Sequence, residues 1–549
     1  MKKCNILKKG IAGVTVLSMC VGSFGMLAAA EEANATGLGV VETKFGQVQG
    51  VPGTFKEEVT VFHGVPYAAP PVGDLRWAAP VDPESWDGVL VCDTDAAMAM
   101  QWPNDMAADP WKTDFYYGEF PEISEDCLYL NIATSAVTGD EKMPVYVWFH
   151  GGGLNHGFNS EVECDPEVLA SKGVVVVEVG HRLGVFGYMA LPQLSEETGY
   201  DASGNWGLMD EIKAIDWIVD NIEAFGGDPS RITVGGQSGG TSKSGALFAN
   251  DETAKKLSGA IWQTSFQYGS KYNDVKEAEQ AGVEWLQACG LKGDESLEEL
   301  RAMDAMVFMG EESEYGKAPQ RMVYDGYTIQ YPTILDAYAA GNFEGVSILA
   351  GIDLGEFTQD RFVDVNTADL FKEWLKEQVG EELYDKYDGD NLFDVTDENA
   401  VDTARRLNHE LFSITNNMLM GKKVSSEYNT GDVYVYLLTH FTPGRNEEYY
   451  WAWHSSDLWY TFGSLRDIPE QRDWEEWDWK LADITTSYWS NFIKTGNPNG
   501  EGLPEWVNTS AEHLAYMDLG DEDTIGSVTD FSSDANQMAI EKYNAVYGF

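Results

Sequence analysis

Residues 232–240 of this chain are Ile-Thr-Val-Gly-Gly-Gln-Ser-Gly-Gly. The apolar run Ile232–Val234 predicts a short buried strand, and the residues after Gly240 predict a helix. The turn between them has the spacing G-x-S-x-G. Its glycines relieve the crowding of a sharp strand-to-helix turn and leave the serine exposed at the helix N-terminus. The bare spacing also occurs in ordinary glycine-rich turns, but its place between a strand and a helix favours Ser238 as a nucleophile.

A second glycine-rich motif, His150–Gly153, follows the apolar run Val145–Phe149. Acyl transfer places negative charge on a carbonyl oxygen, and fixed backbone N–H donors must already point at that oxygen. Successive glycines let the backbone come close to a substrate. The predicted donors are the N–H groups of Gly152, Gly153 and Gly239.

Strands and helices alternate on both sides of these motifs. The runs Val174–Val179, Val346–Ala350 and Val433–Leu438 predict buried strands. The spacing of apolar residues in Leu208–Phe225 predicts a helix that ends at Gly226-Gly227. Because neighbouring parallel strands must be joined by a crossover, this alternation predicts an α/β fold with a central, mostly parallel sheet flanked by helices.

Secondary structure is also predicted for three further segments. Val40–Gln49 predicts a strand, Asp274–Val307 an acidic helical region, and Asp534–Tyr547 an amphipathic C-terminal helix. No repeat, low-complexity tract or interdomain linker is visible. We therefore predict that residues 36–549 form a single catalytic domain with helical insertions over the active site.

The N-terminus has the three parts of a secretory signal peptide. Lysines within residues 2–9 precede the apolar run Ile11–Leu27, and the small residues Ala28–Ala30 offer a cleavage site. A membrane anchor is the alternative, but the run is short and contains several Gly and Ser residues. Leu17–Cys20 is only a weak lipoprotein box. We predict that residues 1–30 are a signal peptide and that the protein is secreted, with no stable membrane span after cleavage.

The formal net charge is −54. The sequence has no stripe of basic residues that could bind phosphates, so nucleic-acid binding is not expected. The negative field of the protein favours neutral or cationic partners. Beyond the predicted signal peptide the cysteines are Cys92, Cys127, Cys164 and Cys289. Neither they nor the histidines have a metal-binding spacing, so no metal or other cofactor is predicted.

The chain resembles the type-B carboxylesterase family, which also contains the cholinesterases. That resemblance implies an α/β-hydrolase fold, a secreted bacterial member, and a serine carboxylic ester hydrolase that acts on a small-molecule ester through an acyl-enzyme. The matching motifs occur in the family's order and are Gly64–Ala68 with Arg76, Ser124–Asn131, Arg182–Gly187, Gly204–Asp210, Ala224–Pro229, the Ser238 turn, His454–Leu458, Trp489–Phe492 and Thr495–Asn499.

The resemblance also identifies a general base. In the family the catalytic histidine precedes a segment like Asp457–Gly463, which selects His454. His440, at the end of a predicted strand, is the main alternative. His150 and His156 flank the glycine-rich loop and are interpreted as shaping it.

The resemblance also implies an acidic residue that completes a catalytic triad with the serine and the histidine, and one alternative for it remains open. The family places it just after a strand, in a segment often written G-x-N-x-D-E-G. Here Gly351–Phe357 occupies that place and puts Glu356 at the acid position, with Asp353 as the alternative. A buried carboxylate there would orient the imidazole and stabilise its cation.

Several positions depart from the family pattern. Gln237 stands where many relatives have Glu, and Gly355 stands in place of Asp. Gly239 replaces the usual Ala, which we expect to loosen the oxyanion hole slightly. The family's partner for Cys127 is missing, so Cys127 is either free or joined to Cys92 in a shifted bridge.

Two structural ion pairs are also implied, Arg76 with Glu125 and Arg182 with Asp210. Arg can hold a carboxylate by two parallel hydrogen bonds, which fixes loop geometry. Aromatic residues surround His454 in the sequence, and core packing is the favoured interpretation for most of them: Tyr449, Tyr450, Trp451, Trp453, Trp459, Tyr460 and Phe462.

Two other functions remain open. The family includes adhesion proteins that have lost the nucleophile, so a non-catalytic binding protein of the same fold is one alternative. The other is cleavage of an amide, thioester or lactone, because these motifs indicate acyl transfer and not the leaving group.

Overall fold

Strands and helices alternate along the described part of a computed structural model of this chain. That part comprises residues 37–102, 115–116, 120–357, 361–444, 446–469 and 471–548. The described residues from Gly37 onward belong to one compact unit. The predicted signal peptide, residues 1–30, lies outside the described residues.

The described strands are numbered in chain order. They are β1 (Val40–Glu42), β2 (Gln47–Gln49), β3 (Val51–Pro52), β4 (Thr60–Pro66), β5 (Val89–Val91), β6 (Met98–Ala99), β7 (Ile123–Ser124), β8 (Tyr129–Thr134), β9 (Met143–Phe149), β10 (Val175–Val179), β11 (Gly227–Gln237), β12 (Leu257–Gln263), β13 (Ser347–Asp353), β14 (Val433–Leu438), β15 (Tyr516–Leu519) and β16 (Gly526–Val528).

The described α-helices lie between and after these strands. They are α1 (Glu167–Ser171), α2 (Gly184–Tyr188), α3 (Pro192–Thr198), α4 (Trp206–Asn221), α5 (Gly239–Ala246), α6 (Asp251–Ala254), α7 (Val275–Ala288), α8 (Leu297–Ala302), α9 (Met306–Met309), α10 (Ile334–Ala340), α11 (Ala368–Val379), α12 (Glu381–Lys386), α13 (Ala400–Leu407), α14 (Ile414–Glu427), α15 (Glu447–Tyr450), α16 (Asp457–Phe462), α17 (Glu476–Thr495) and α18 (Asp534–Tyr547).

One mixed sheet of eleven strands forms the centre of the molecule. Its order is β16-β15-β14-β13-β12-β11-β9-β10-β8-β4-β3. The strands from β15 to β10 pair in parallel, and the pairs at both edges are antiparallel. Every residue of β10 and β14 is buried, as expected for strands covered by helices on both faces. The predicted α/β fold with a mostly parallel sheet is therefore confirmed.

The structure divides two of the predicted elements into shorter ones. The predicted strand Val40–Gln49 is an antiparallel pair, β1 and β2, joined by a turn in which the Thr43 N–H donates to the Gly46 carbonyl (3.0 Å). The predicted helical stretch Asp274–Val307 is divided into α7, α8 and α9. Gly290 (φ 83°), which follows the C-cap residue Cys289, adopts the left-handed conformation that ends α7.

The register of the parallel strands brings four chain segments to one edge of the sheet. Gly236 of β11 lies beside Phe149 of β9, and Gln237 lies beside Gln263 of β12. Gln263 in turn lies beside Gly351 of β13. Since ligands of open α/β sheets bind beyond the carboxyl ends of the strands, this register places the loops after β9, β11 and β13 at a binding edge.

Both predicted arginine–carboxylate pairs are confirmed. Arg76 donates to both oxygens of Glu125 at 2.6 Å, and Arg182 donates to both oxygens of Asp210 at 2.7 and 2.8 Å. Asp210 is on α4, so the second pair fixes the chain after β10 to that helix.

The described residues include four cysteines, Cys92, Cys127, Cys164 and Cys289. There the four cysteines are unpaired thiols, including Cys92 and Cys127, so the shifted bridge is not formed. None of the described helices combines the length and apolar character needed to cross a bilayer.

Candidate active site

Ser238 occupies a strained turn between β11 and α5. Its φ is 55° and its ψ is −121°, a region that costs a residue with a side chain about 1–3 kcal/mol. Tight packing enforces the turn: a Cβ at Gly236 would lie 2.4 Å from the Gly240 carbonyl carbon, and one at Gly240 would lie 2.0 Å from the Phe149 oxygen. The structure thus has the strand-to-helix turn that the sequence predicts around Ser238.

The predicted amide donors belong to peptide units whose carbonyl oxygens are all hydrogen-bonded. The Gly152 N–H shares its peptide unit with the Gly151 carbonyl, whose oxygen lies 3.0 Å from His150 Nδ1. The Gly152 oxygen, in the peptide of the Gly153 N–H, accepts from the His156 N–H (2.9 Å). The Ser238 oxygen, in the peptide of the Gly239 N–H, accepts from the hydroxyl and N–H of Thr241 (2.7 and 3.0 Å). Because peptide units are planar, fixing each carbonyl also fixes the direction of its N–H.

Gly239 allows the loop after β9 to approach α5 closely. A Cβ at position 239 would lie 2.1 Å from the Gly153 carbonyl oxygen and 2.5 Å from its Cα. The sequence-based expectation that Gly239 loosens this region is therefore wrong. The glycine permits a tighter contact between the two segments that carry the predicted donors.

His454 and Glu356 are joined by a hydrogen bond between Nδ1 and Oε2. Both side chains are buried, with 4% and 7% of their surfaces exposed, so the pair is little screened by solvent. Glu356 Oε1 also accepts from the Asp353 N–H (3.3 Å). The Gln237 side-chain nitrogen lies 3.3 Å from His454 Nε2. The structure therefore brings together the predicted base and acid.

Asp353, the alternative acid, has a different environment. Its Oδ2 accepts from the Asp457 N–H (3.4 Å), and its Oδ1 has no hydrogen-bond partner among the described residues. Burial, followed by the charges of Asp457 and Glu356, raises the pKa of Asp353 well above its usual value. The environment of Asp353 therefore disfavours its ionised form, whereas Glu356 contacts the imidazole.

Gly355, which replaces the family's Asp, lies where two backbones meet. Its N–H donates to the Ala452 carbonyl (2.6 Å), and a Cβ there would lie 2.2 Å from the Tyr450 oxygen. This contact ties the loop that carries Glu356 to the segment that leads into His454. The departure from the family pattern therefore has a steric reason.

His440, the alternative base, belongs to a separate ionic cluster. Its Nδ1 lies 2.6 Å from Asp521 and its Nε2 lies 2.9 Å from Asp478. It is part of a cavity with Asp518 and Phe441, and it does not line the cavity that contains Ser238.

A cavity of about 250 Å³ contains Ser238, Gly152, Gly153 and His454 in its wall. Four other lining residues lie in or beside segments that the sequence predictions singled out: His156, Phe357, Ser455 and Leu458. Phe115, Tyr116 and Glu161 also line the cavity and belong to no sequence motif. Most aromatic residues near His454 in sequence, such as Trp459 and Phe462, instead pack in the core.

Glu161 is a carboxyl group in the cavity wall. Its Oε1 accepts from the Tyr116 hydroxyl (3.1 Å), and burial raises its pKa to about 7.

Ligand atoms of Glu161, Glu163 and Cys164 lie within 4.8 Å of one another, a spacing that could hold a metal ion. However, burial and the charge of Glu161 raise the pKa of Glu163 well above its usual value. Binding of a divalent cation by this group would therefore have to release a proton.

Backbone strain is concentrated around this cavity. Five non-glycine residues with positive φ lie in, or next to, the chain segments that form the cavity wall: Ser238 (55°), Thr264 (116°), Phe357 (45°), Trp451 (61°) and Ser455 (83°). Such conformations persist where surrounding contacts force them, and they cluster at functional sites.

The fold and this arrangement define the class of protein. Residues 38–540 match the profile of the carboxylesterase family, so the chain belongs to that family and is a serine carboxylic ester hydrolase with the α/β-hydrolase fold.

Curated relatives agree with this assignment. The chain is 29% identical to para-nitrobenzyl esterase of Bacillus subtilis (strain 168) over 88% of its own length and 96% of the relative's. It is 34% identical to fumonisin B1 esterase of Sphingopyxis macrogoltabida over 62% of its own length, and covers 61% of that relative. A solved structure of a PNB esterase superposes with a TM-score of 0.71 at 27% identity, covering 91% of this chain and 99% of the other.

Proposed function

We propose that this protein hydrolyses carboxylic esters with the triad Ser238, His454 and Glu356. The observation that carries the proposal is the buried Glu356–His454 hydrogen bond, whose imidazole lines the same cavity as Ser238. The amides of Gly152, Gly153 and Gly239 form the oxyanion hole in this proposal.

The proposed reaction has two acyl-transfer steps. Ser238 Oγ attacks the ester carbonyl carbon while His454 Nε2 accepts the hydroxyl proton, since Nδ1 is bound to Glu356. The amides stabilise the resulting oxyanion. The bond to the alcohol oxygen breaks as the imidazolium returns the proton to that oxygen. Water then attacks the acyl-enzyme by the same route and releases the carboxylic acid.

The alternatives differ in what the same residues would do. A non-catalytic binding protein would have no need of a hydrogen-bonded histidine–glutamate pair beside a strained serine. Amide, thioester and lactone hydrolysis would use the same groups, and only the leaving group would differ. Esters are proposed because the relatives above are named esterases.

The test of this function combines hydrolysis with covalent labelling. We expect the purified protein to hydrolyse p-nitrophenyl acetate and butyrate, and a fluorophosphonate to attach once per chain, at Ser238, while activity falls in parallel. Peptide mass mapping would locate the adduct. Full labelling that leaves hydrolysis intact would contradict the mechanism, as would an adduct elsewhere. A parallel panel of amide, thioester and lactone substrates would identify the preferred leaving group.

Substrate charge is a second part of the proposal. Glu161 is a carboxyl group in the wall of the cavity, and the chain as a whole is strongly acidic. Because the pKa of Glu161 is raised to about 7, its carboxylate forms as the pH rises above that value. We propose that the site accepts neutral or cationic esters and disfavours anionic ones.

The variant Glu161→Gln tests this preference. At pH 8.5 we compare kcat/KM for an ester of a trimethylammonium alcohol with kcat/KM for its neutral tert-butyl analogue. The ratio of the two should be about threefold to tenfold lower in Glu161→Gln than in the unsubstituted protein, because one nearby negative charge is removed. In the unsubstituted protein the same preference should decline below pH 7. Exposed Glu298→Gln is the matched control. An unchanged ratio in Glu161→Gln would refute the role of this carboxylate.

We also propose that the protein is exported. The support is the lysine-rich start, the apolar run and the small residues within positions 1–30.

A further inference from the structure

Lys243 is a buried cation beneath the glycine-rich loop. It lies on α5, five residues after Ser238, and its side chain is 0% exposed. Among the described residues it is the one lysine with a buried side chain. Lysine is rarely buried completely unless its charge has a specific partner, so its presence here requires an explanation.

The ammonium group of Lys243 contacts two backbone carbonyls of that loop. Nζ donates to the His150 oxygen at 2.9 Å and lies 3.4 Å from the Gly151 oxygen. His150 Nδ1 approaches the same Gly151 oxygen at 3.0 Å. A carbonyl oxygen only accepts, so His150 must carry its proton on Nδ1.

These contacts determine the direction of a predicted oxyanion donor. The Gly151 carbonyl and the Gly152 N–H belong to one planar, trans peptide unit and point in opposite directions. The ammonium group at 3.4 Å and His150 Nδ1 at 3.0 Å together hold the carbonyl on one side and so direct the N–H to the other side, where Gly152 lines the cavity. The positive charge also polarises the peptide, which makes its N–H a stronger donor.

Charged and titratable groups surround Lys243 on several elements. Glu211 of α4 and Glu161 of the cavity wall raise its pKa, while its burial lowers the pKa to about 8. His150 and His181, whose rings stack at 4.7 Å, have pKa values well below the usual range because of burial and the charge of Lys243. Both histidines are therefore neutral, and Lys243 provides the positive charge beneath the loop.

We propose that Lys243 is a positioning residue that orients and polarises the Gly151–Gly152 peptide for stabilisation of the oxyanion. This inference rests on the proposed acyl-transfer function and adds a residue that does not itself contact substrate. A positioning role of this kind acts on the transition state and leaves ground-state binding of the ester almost unchanged.

The test compares Lys243→Met with the unsubstituted protein. Rates are normalised to active sites titrated with a fluorophosphonate, so that only folded, reactive chains are counted. We expect kcat on p-nitrophenyl butyrate to fall about tenfold to hundredfold, while KM changes less than about twofold. The inhibition constant of an aryl trifluoromethyl ketone, whose serine adduct carries an oxyanion, should rise by the same factor as kcat falls.

A second variant tests whether a loss of activity is caused by misfolding. Burial raises the pKa of Glu211 to about 8 and the charge of Lys243 opposes that rise, so the double variant Lys243→Met/Glu211→Gln removes both titratable groups together. It should show the same loss of kcat and of ketone affinity. Lys213→Met, which removes a partly exposed lysine paired with Asp82, is the control and should behave as the unsubstituted protein.

The outcomes separate this inference from the proposed function. If the unsubstituted protein neither hydrolyses esters nor titrates, the function itself fails. If it does both, and the Lys243 variants keep kcat within about twofold or change only KM, the positioning role alone is overturned.

Discussion

Ser238→Ala should lower kcat for p-nitrophenyl esters by a factor of about 10⁴ to 10⁶, the largest effect expected of any single substitution in this chain. Without the hydroxyl no acyl-enzyme can form, and the residual rate comes from direct attack by water in a site that still binds the ester. The measurement is steady-state hydrolysis at saturating substrate. Active-site titration should give no burst and no fluorophosphonate adduct.

The same substitution should leave the fold intact. Alanine has the same backbone restriction as serine at φ 55°, and the turn is imposed by the contacts of Gly236 and Gly240. The thermal unfolding midpoint should therefore be unchanged. Ser242→Ala, an exposed position on the same helix, is the matched control and should keep full activity. Activity of Ser238→Ala close to that of this control would contradict the assignment of the nucleophile.

The central sheet was predictable because its strands are buried on both faces. Continuous apolar runs such as Val174–Val179 and Val433–Leu438 give strong signals. The strands β12 and β15 give no such signal: β12 contains Ser258 and Gly259, and its place depends on pairing with β11 and β13. Non-local pairing of this kind is not encoded in any local pattern.

The site was predictable where a motif constrains the backbone, and not where residues meet only in space. The spacing around Ser238 predicts a turn, and the structure has that turn. The contact of Gly355 with the Tyr450 and Ala452 carbonyls joins two segments almost a hundred residues apart. Lys243 likewise appears in sequence as one more residue of an ordinary helix. Its position under the loop after β9 depends on the packing of α5 against that strand.

Glu356→Gln should lower kcat by about 10³ to 10⁴, because the amide cannot stabilise an imidazolium and can favour the wrong tautomer of His454. The present hydrogen bond requires a proton on Nδ1, which leaves Nε2 to accept the Ser238 proton. A glutamine whose NH₂ faces Nδ1 would instead place the proton on Nε2. The measurement is kcat between pH 6 and 9, normalised to folded protein, with KM expected to change little.

Asp353→Asn is the control that separates the two candidate acids. Burial and the charges of Asp457 and Glu356 raise the pKa of Asp353 well above its usual value, so an uncharged asparagine of the same shape should disturb this position little. Activity of Asp353→Asn should therefore stay within about tenfold of the unsubstituted protein. The reverse pattern, an inactive Asp353→Asn with an active Glu356→Gln, would transfer the acid role to Asp353. The carboxyl group that stabilises the imidazolium must be ionised; Glu356 contacts His454, whereas burial and neighbouring charges disfavour the ionised form of Asp353.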